Sequence, residues 1–315
     1  MTDKPLIVFP AQYLAQLQAI LPDSVEVRGF STLEECLALA PQAEIGWFDD
    51  FPSGAYREGP RAAANAKWIN TVLTGLDALP TTLMQERGQI LTSGAGMMPD
   101  IVADYAVMGA LTLAKRLDEV VRAHDRKEWR RPPGTFEMLG SKALVIGYGA
   151  IGSGIGDRLK VFGVEVTGVR RRGGEPSIIG ADEWRARLAE FDFVILAAPS
   201  TSDTKLLIGA DELAAMKPGA RLINIARGEL IDQEALIASL NAGHLGSAFL
   251  DVTTPEPLPP EHPLWDAPNT LITMHLSGQS QTTAFKRAGA RFLKNLQHYL
   301  AGEPLEHVVD FSRGY

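Results

Sequence analysis

The chain has 315 residues, a formal net charge of −8, 45% hydrophobic residues and 22% charged ones. That length exceeds the size at which a single core stops growing, so two domains are expected, and the composition excludes a largely disordered chain. The acidic balance argues against nucleic acid as a partner, which would need a basic face, and the lone cysteine, Cys36, excludes an intrachain disulfide and fits a reducing compartment.

Taken in order, the chain opens on Met1-Thr2-Asp3-Lys4-Pro5 and a short apolar run, Leu6-Ile7-Val8-Phe9. The run is too short for the apolar centre of a secretory signal. No uncharged apolar stretch reaches the ~20 residues that cross a bilayer, so a soluble cytoplasmic protein with no membrane partner is expected. Strand-like runs at Leu6–Phe9, Val25–Val27, Glu44–Phe48, Trp68–Asn70 and Gln89–Leu91 alternate with helix-like pieces such as Gln12–Leu21 and Thr32–Ala40. Alternation of this kind predicts a parallel sheet covered by helices. No glycine fingerprint follows the first strand, so this unit is not read as a dinucleotide binder.

Pro99-Asp100 opens a long helical pattern that runs through Ile101, Tyr105, Met108, Leu111 and Leu113 to Arg116 and is apolar nearly all round, as in a helix buried between layers. Asp104 is the charge inside its first turns, and pairing or capping is the favoured role for it. Lys127–Gly134, basic and proline-rich, reads as a loop.

A second alternating series starts at Ala143-Leu144-Val145-Ile146, a buried parallel strand by composition, followed by Gly147-Tyr148-Gly149-Ala150-Ile151-Gly152 and a helix-like run. The G-x-G-x-x-G spacing in a strand–turn–helix context predicts a dinucleotide site. Gly147 allows the tight turn, Gly149 lets the backbone approach a pyrophosphate, and Gly152 lets helix and strand pack closely. The phosphates would rest on free N–H groups at the helix N-terminus, around Ala150 and Ile151. Further strands are expected at Val164–Val169, Phe191–Ala197, Arg221–Ala226, Gly246–Leu250 and Leu271–Met274, with a last helix over Ser280–Leu300. The plan is an α/β chain of two parallel-sheet lobes with a cleft between them.

An NAD-binding unit of this type carries Asp or Glu about 20 residues past the fingerprint, to hold the ribose 2′-hydroxyl. Here Arg170, 18 positions past Gly152, stands there, followed by Arg171 and Arg172. A guanidinium binds a 2′-phosphate that a carboxylate would repel. The reading is therefore NADP(H) preferred, with NAD(H) possible, although three arginines are also what a solvated loop would carry.

Three more stretches place reactive side chains at the carboxyl ends of predicted strands, where ligands bind in open α/β sheets. They are Leu222–Asp232 with Arg227, Leu250–Pro257 with Asp251 and Glu256, and Leu271–Gly278 with His275. Alone, a His after a strand is more often structural than catalytic, and an Arg is usually a surface or pairing residue. Together with the fingerprint they resemble the D-isomer-specific 2-hydroxyacid dehydrogenase family, and within it the glyoxylate/hydroxypyruvate reductase branch. The likeness extends to Thr74-Gly75-Leu76-Asp77, Val102-Ala103-Asp104, Ala198-Pro199-Ser200-Thr201 with Thr204, and the end Arg313-Gly314-Tyr315.

The resemblance implies two lobes of Rossmann-like and flavodoxin-like type. Residues 1–98 and 283–315 would form a discontinuous substrate-binding lobe, 99–282 the dinucleotide-binding one, and the long helix would mediate a homodimer. It implies a reductase of small 2-keto acids with His275 as acid/base, Glu256 orienting the ring, and Arg227 on the substrate carboxylate and carbonyl. Backbone N–H groups of Thr74, Gly75 and Leu76 would hold the remaining carboxylate oxygen. Asp251 would meet the nicotinamide carboxamide, and Pro199, Thr204 and Ala226 would line the cofactor; no metal is implied. With nothing after Tyr315, the extra regulatory domain of some phosphoglycerate dehydrogenases is not expected.

The sequence departs from the family in two places. Met274 stands where Pro often precedes the catalytic His, for which only a packing change is expected. Asp104 stands where Glu is usual, shortening what is expected to be a buried carboxylate. Trp47 and Met97-Met98 either shape a substrate pocket or pack the core. The alternatives are an NAD-dependent D-lactate- or phosphoglycerate-type dehydrogenase and a non-catalytic, dinucleotide-sensing corepressor-like protein. A formate dehydrogenase is disfavoured, because that branch resembles a Gln–His pair where this chain has Glu256 and His275.

Overall fold

Short runs of buried aliphatic and aromatic residues set the strands of two parallel sheets. The computed structural model describes residues 4–131, 134–280 and 283–312. The chain divides into two units, Met1–Met98 with Ser280–Tyr315, and Pro99–Gln279. The end Arg313-Gly314-Tyr315 and the first two residues after Ser280 lie outside the described residues.

In the first unit, strands β1 (Leu6–Pro10), β2 (Glu26–Phe30), β3 (Ile45–Trp47), β4 (Trp68–Asn70) and β5 (Ile90–Thr92) pair in the order β2-β1-β3-β4-β5. Every pair is parallel, the strand order of flavodoxin-like sheets. Helices α1 (Ala11–Leu17), α2 (Leu33–Leu39), α3 (Ala55–Ala62) and α4 (Thr81–Glu86) connect the strands. Helix α2 starts where the sequence provides a cap: Thr32 Oγ1 accepts from Glu35 N at 3.2 Å, and Glu35 Oε2 accepts from Ser31 N at 2.7 Å.

The second unit opens with α5 (Pro99–Lys115) and α6 (Leu117–Asp125), the latter not foreseen in the sequence. Then come β6 (Lys142–Ile146), α7 (Ala150–Val161), β7 (Glu165–Val169), β8 (Ile178–Ile179), β9 (Phe193–Leu196), α8 (Ala210–Ala215), β10 (Arg221–Asn224), α9 (Gln233–Asn241), β11 (Ser247–Leu250) and β12 (Thr270–Ile272). The strands form a seven-stranded sheet, β12-β11-β10-β9-β6-β7-β8, again parallel throughout. Its order reverses between β6 and β9, the switch point at which ligands bind in such sheets. Alternate side chains fill two cores: Leu144, Ile146, Leu196 and Leu222 face α8 and α9, while Ala143, Val145, Phe193 and Phe249 face α5 and α7.

The register fixes the site. Ile146 pairs with Leu196, Leu196 with Asn224, Asn224 with Leu250 and Leu250 with Ile272, while Val169 flanks Ile146 on the other side. Whatever follows these residues emerges along one edge of one sheet.

Three expectations change. Helix α5 is not buried on every side: its Ala103, Ala106 and Ala110 are buried, but Met108 is exposed. Asp104 is on its outer face too, so it is not a buried carboxylate; Arg158 Nε of α7 donates to its Oδ1 at 2.5 Å. The last strand ends at Ile272 rather than Met274, because Met274 has a φ of +53° that no strand continues.

Helix α10 (Thr283–Ala301) returns the chain to the first unit. Phe292, fully buried, stacks on Trp68 at 5.0 Å and lies 5.1 Å from Trp47 and 5.2 Å from Phe9, between ring centroids. Trp47 is itself fully buried and stacks on Tyr13 at 4.2 Å, so it belongs to the core. Among the described residues no helix is long and apolar enough to cross a membrane. Phe292→Ala removes the ring that joins α10 to the sheet and should cost about 3–5 kcal/mol of stability in chemical denaturation; an unchanged midpoint would contradict this packing account.

Candidate active site

The glycine loop follows β6 directly. Gly147 has a φ of +96°, and a Cβ there would lie 2.4 Å from Ala198 N. A Cβ on Gly152 would lie 2.3 Å from Gly147 O, so only glycine lets the first turn of α7 fold back on the strand end. Gly149 caps α7, and a Cβ on it would meet nothing within 4 Å. That side of the loop is open for a ligand, in front of the helix N-terminus that begins with Ala150 and Ile151. Its N–H groups and dipole suit a pyrophosphate, so the residues present fit a dinucleotide.

Arg170, Arg171 and Arg172 are exposed just past the end of β7. Arg170 Nε donates to Tyr148 O at 2.7 Å, which ties its side chain to the glycine loop. Its Nη1 lies 3.9 Å from Glu175 Oε1, a carboxylate farther along the loop. On the other side of the switch point, past β9, Thr204 Oγ1 donates to Pro199 O at 2.7 Å and accepts from Thr201 N at 2.8 Å, which closes the Pro199–Thr204 turn.

The end of β10 is shaped by Asn224, which is fully buried. Its Oδ1 accepts from Ala226 N at 3.0 Å, and its Nδ2 donates to Arg227 O at 2.8 Å. Arg227 Nη1 in turn donates to Ala226 O at 2.6 Å. The next residue, Gly228, packs on the turn after β11: a Cβ there would lie 2.1 Å from the carbonyl carbon of Thr253. Gln233, at the start of α9, brackets the same turn through Thr254 N and O. The Arg227 charge acts on both Glu256 and His275.

Glu256 and His275 meet directly. His275 Nδ1 and Glu256 Oε2 are 2.8 Å apart, and Glu256 Oε1 accepts from Thr253 N at 3.0 Å. The hydrogen bond to Glu256 raises the His275 imidazole above its ordinary value, against burial and the Arg227 charge. Burial alone would raise the Glu256 carboxyl, but hydrogen bonds from His275 and Thr253 outweigh it and hold it below the usual range. Between those two values the pair is ionic: its favourable energy is lost above the raised His275 value and below the lowered Glu256 value. With Nδ1 bonded to the carboxylate, Nε2 is the nitrogen left for proton transfer.

Asp251 is buried, and both of its carboxylate oxygens face the turn that carries His275. Met274 and His275 have φ values of +53° and +58°. Proline, with φ locked near −65°, cannot take the Met274 conformation. The departure at Met274 is thus one of backbone, and its side chain is exposed rather than packed.

In the first unit, Thr74 is exposed, Gly75 half-buried and Leu76 part of the core. The loop leading to them is held by Asp49, a residue the sequence did not mark. Asp49 Oδ2 accepts from Val72 N at 2.6 Å and Trp47 Nε1 at 2.7 Å, and Oδ1 accepts from Thr71 Oγ1 at 2.8 Å. Burial pushes its carboxyl up to about 6, against these hydrogen bonds. Among the described residues no group of three or more His, Cys, Asp or Glu could hold a metal ion.

The chain has clear relatives. A family model described as D-isomer specific 2-hydroxyacid dehydrogenase, NAD binding domain, matches residues 107–277. The chain is 34% identical to the glyoxylate reductase/hydroxypyruvate reductase of Mus musculus, over 70% of each chain. It is 30% identical to glyoxylate/hydroxypyruvate reductase B of Pectobacterium atrosepticum, over 98% of each. Among solved structures it is similar to a D-isomer specific 2-hydroxyacid dehydrogenase family protein from Aeromonas salmonicida. That match has a TM-score of 0.86 and 26% identity, and covers 98% of this chain and 100% of that one.

The geometry of the pair makes a direct prediction. In NMR titrations His275 should titrate above the ordinary 6.5, and Glu256→Gln, which keeps an acceptor but removes the charge, should lower its pKa. Identical titrations in the two proteins would contradict the coupling.

Proposed function

The chain belongs to the D-isomer-specific 2-hydroxyacid dehydrogenase family, and from that premise we propose that it reduces small 2-keto acids, of the glyoxylate and hydroxypyruvate class, to D-2-hydroxy acids. The observation that carries the reading is the 2.8 Å contact of His275 Nδ1 with Glu256 Oε2, on the same sheet edge as Arg227 and the glycine loop.

When bound, a reduced nicotinamide supplies the hydride that reaches the keto carbon. His275 gives the proton from Nε2 to the keto oxygen as negative charge develops there. Glu256 keeps the ring oriented and its cationic form favoured. Arg227 binds the substrate carboxylate and polarises the carbonyl, a task for a planar, permanently charged fork. Thr74, Gly75 and Leu76 keep the role of backbone donors to the carboxylate in this reading.

Gly147, Gly149, Ala150, Ile151 and Gly152 hold the pyrophosphate, and Pro199, Thr204, Ala226 and Asp251 serve the rest of the cofactor. Arg170, Arg171 and Arg172 favour NADP(H). Support for that preference comes from three guanidinium groups at the end of β7, where a carboxylate would mark an NAD site, and from the bond of Arg170 to the loop carbonyl of Tyr148. We also propose a homodimer through the second unit. Exposed Met108, Leu117, Val120, Val121, Val161 and Phe162 support it, and a single-chain mass in light scattering would contradict it.

The test is absorbance at 340 nm with NADPH or NADH and a series of 2-keto acids. Turnover with small keto acids and a preference for NADPH are expected. A large preference for NADH would overturn the arginine assignment, and tight cofactor binding without any turnover would favour a sensor. His275→Ala should lower kcat by roughly 10²–10⁴-fold; an unchanged kcat would refute its role as the acid.

A further inference from the structure

The turn that presents His275 is held in an unusual backbone conformation, and one side chain holds it. Residues with side chains rarely adopt φ near +55°, and here two adjacent ones do, Met274 and His275. Such a conformation persists only where its surroundings over-determine it. Asp251, 1% exposed, provides that surrounding. Its Oδ1 accepts from Thr273 Oγ1 and from Leu276 N, each at 2.8 Å. Its Oδ2 accepts from Ser277 N at 3.0 Å, and its carbonyl oxygen accepts from His275 N at 2.6 Å. Asp251 therefore accepts four bonds, from Thr273 before Met274-His275, from Leu276 and Ser277 after it, and from His275 itself. Asp251 is anchored in turn through its own N–H to Asn224 O at 2.9 Å, the end of the neighbouring strand.

We propose that Asp251 is a positioning residue for proton transfer, clamping the Thr273–Ser277 turn so that His275 Nδ1 meets Glu256. This role is distinct from a contact with the cofactor. A carboxylate has about four acceptor positions, and three of those on Asp251 are taken by the turn. The proposal rests on His275 being the acid, but its structural half does not depend on turnover.

The test uses the full chain, with two variants and two readouts. The first readout is the low-field proton resonance of His275 Nδ1–H bonded to Glu256, recorded without cofactor and assigned by its absence in His275→Ala. The second is kcat set against NADPH affinity measured by fluorescence. Asp251→Asn should abolish or weaken the low-field resonance and lower kcat about 10²-fold, as expected for a misplaced reacting group. Because that variant also removes a charge, Thr273→Val serves as the neutral control. It breaks one clamp bond and should lower kcat roughly fivefold with NADPH affinity unchanged, and Thr273→Ser should restore it. The control also decides the matter if Asp251→Asn does not fold.

An intact resonance in Asp251→Asn, with the loss of kcat matched by a loss of NADPH affinity, would overturn the proposal and leave Asp251 a cofactor contact alone. An unchanged kcat in Thr273→Val would overturn it as well. If the parent chain reduces no 2-keto acid, the proposed function fails on its own, and the resonance in the cofactor-free variants still decides whether Asp251 holds His275.

Discussion

The constraint on which the rest depends is the hydrogen-bond register of the seven-stranded sheet. Parallel pairing aligns Ile146, Leu196, Asn224, Leu250 and Ile272 in one row. The segments that leave this row are the glycine loop, the Pro199 turn, Arg227, the Glu256 turn and the His275 turn. Shifting one strand by a single residue would also move its apolar side chains from one core to the other. The same packing that buries Val145, Leu196, Ile223 and Phe249 therefore sets which chemistry meets at the edge.

Magnitudes separate what holds the site from what uses it. The Glu256 and His275 side chains are 37% and 47% exposed, and ion pairs that open to solvent contribute about 0–1 kcal/mol. A left-handed backbone costs roughly 1–2 kcal/mol per residue, and two residues here carry that cost. The pair cannot maintain its own turn. Hydrogen bonds accepted by the buried Asp251 carboxylate can, because an unsatisfied carboxylate beside unsatisfied N–H groups would be far more expensive than the strain. Glu256 and Arg227 then act in opposite directions on His275, and the directly bonded carboxylate outweighs the more remote guanidinium.

What was legible in the sequence was what local rules impose. The apolar runs announced parallel strands, and the fingerprint glycines matched contacts so close that no other residue fits at Gly147 or Gly152. The likeness of three strand-end segments pointed to the family. The rest was carried by contacts between distant parts of the chain. Nothing near Asp251 in sequence says that it accepts from Leu276 and Ser277, and nothing near Gly228 says that it packs on Thr253. Asp49 carries no local signal, and only the strands bring it to Thr71 and Val72. Asp104 went the other way: its apolar helix suggested burial, but the helical period turned it outward to Arg158.

In the proposed reaction the His275 proton, set by Glu256, is given to a 2-keto acid as it is reduced. The most direct test is the pH dependence of kcat/KM for keto-acid reduction in the parent chain and in Glu256→Gln. In the proposed mechanism the protonated ring is the active form, so the rate should fall as pH rises through the raised His275 value. In Glu256→Gln the same fall should come at lower pH. A limb at the same pH in both proteins, or no limb, would contradict the account.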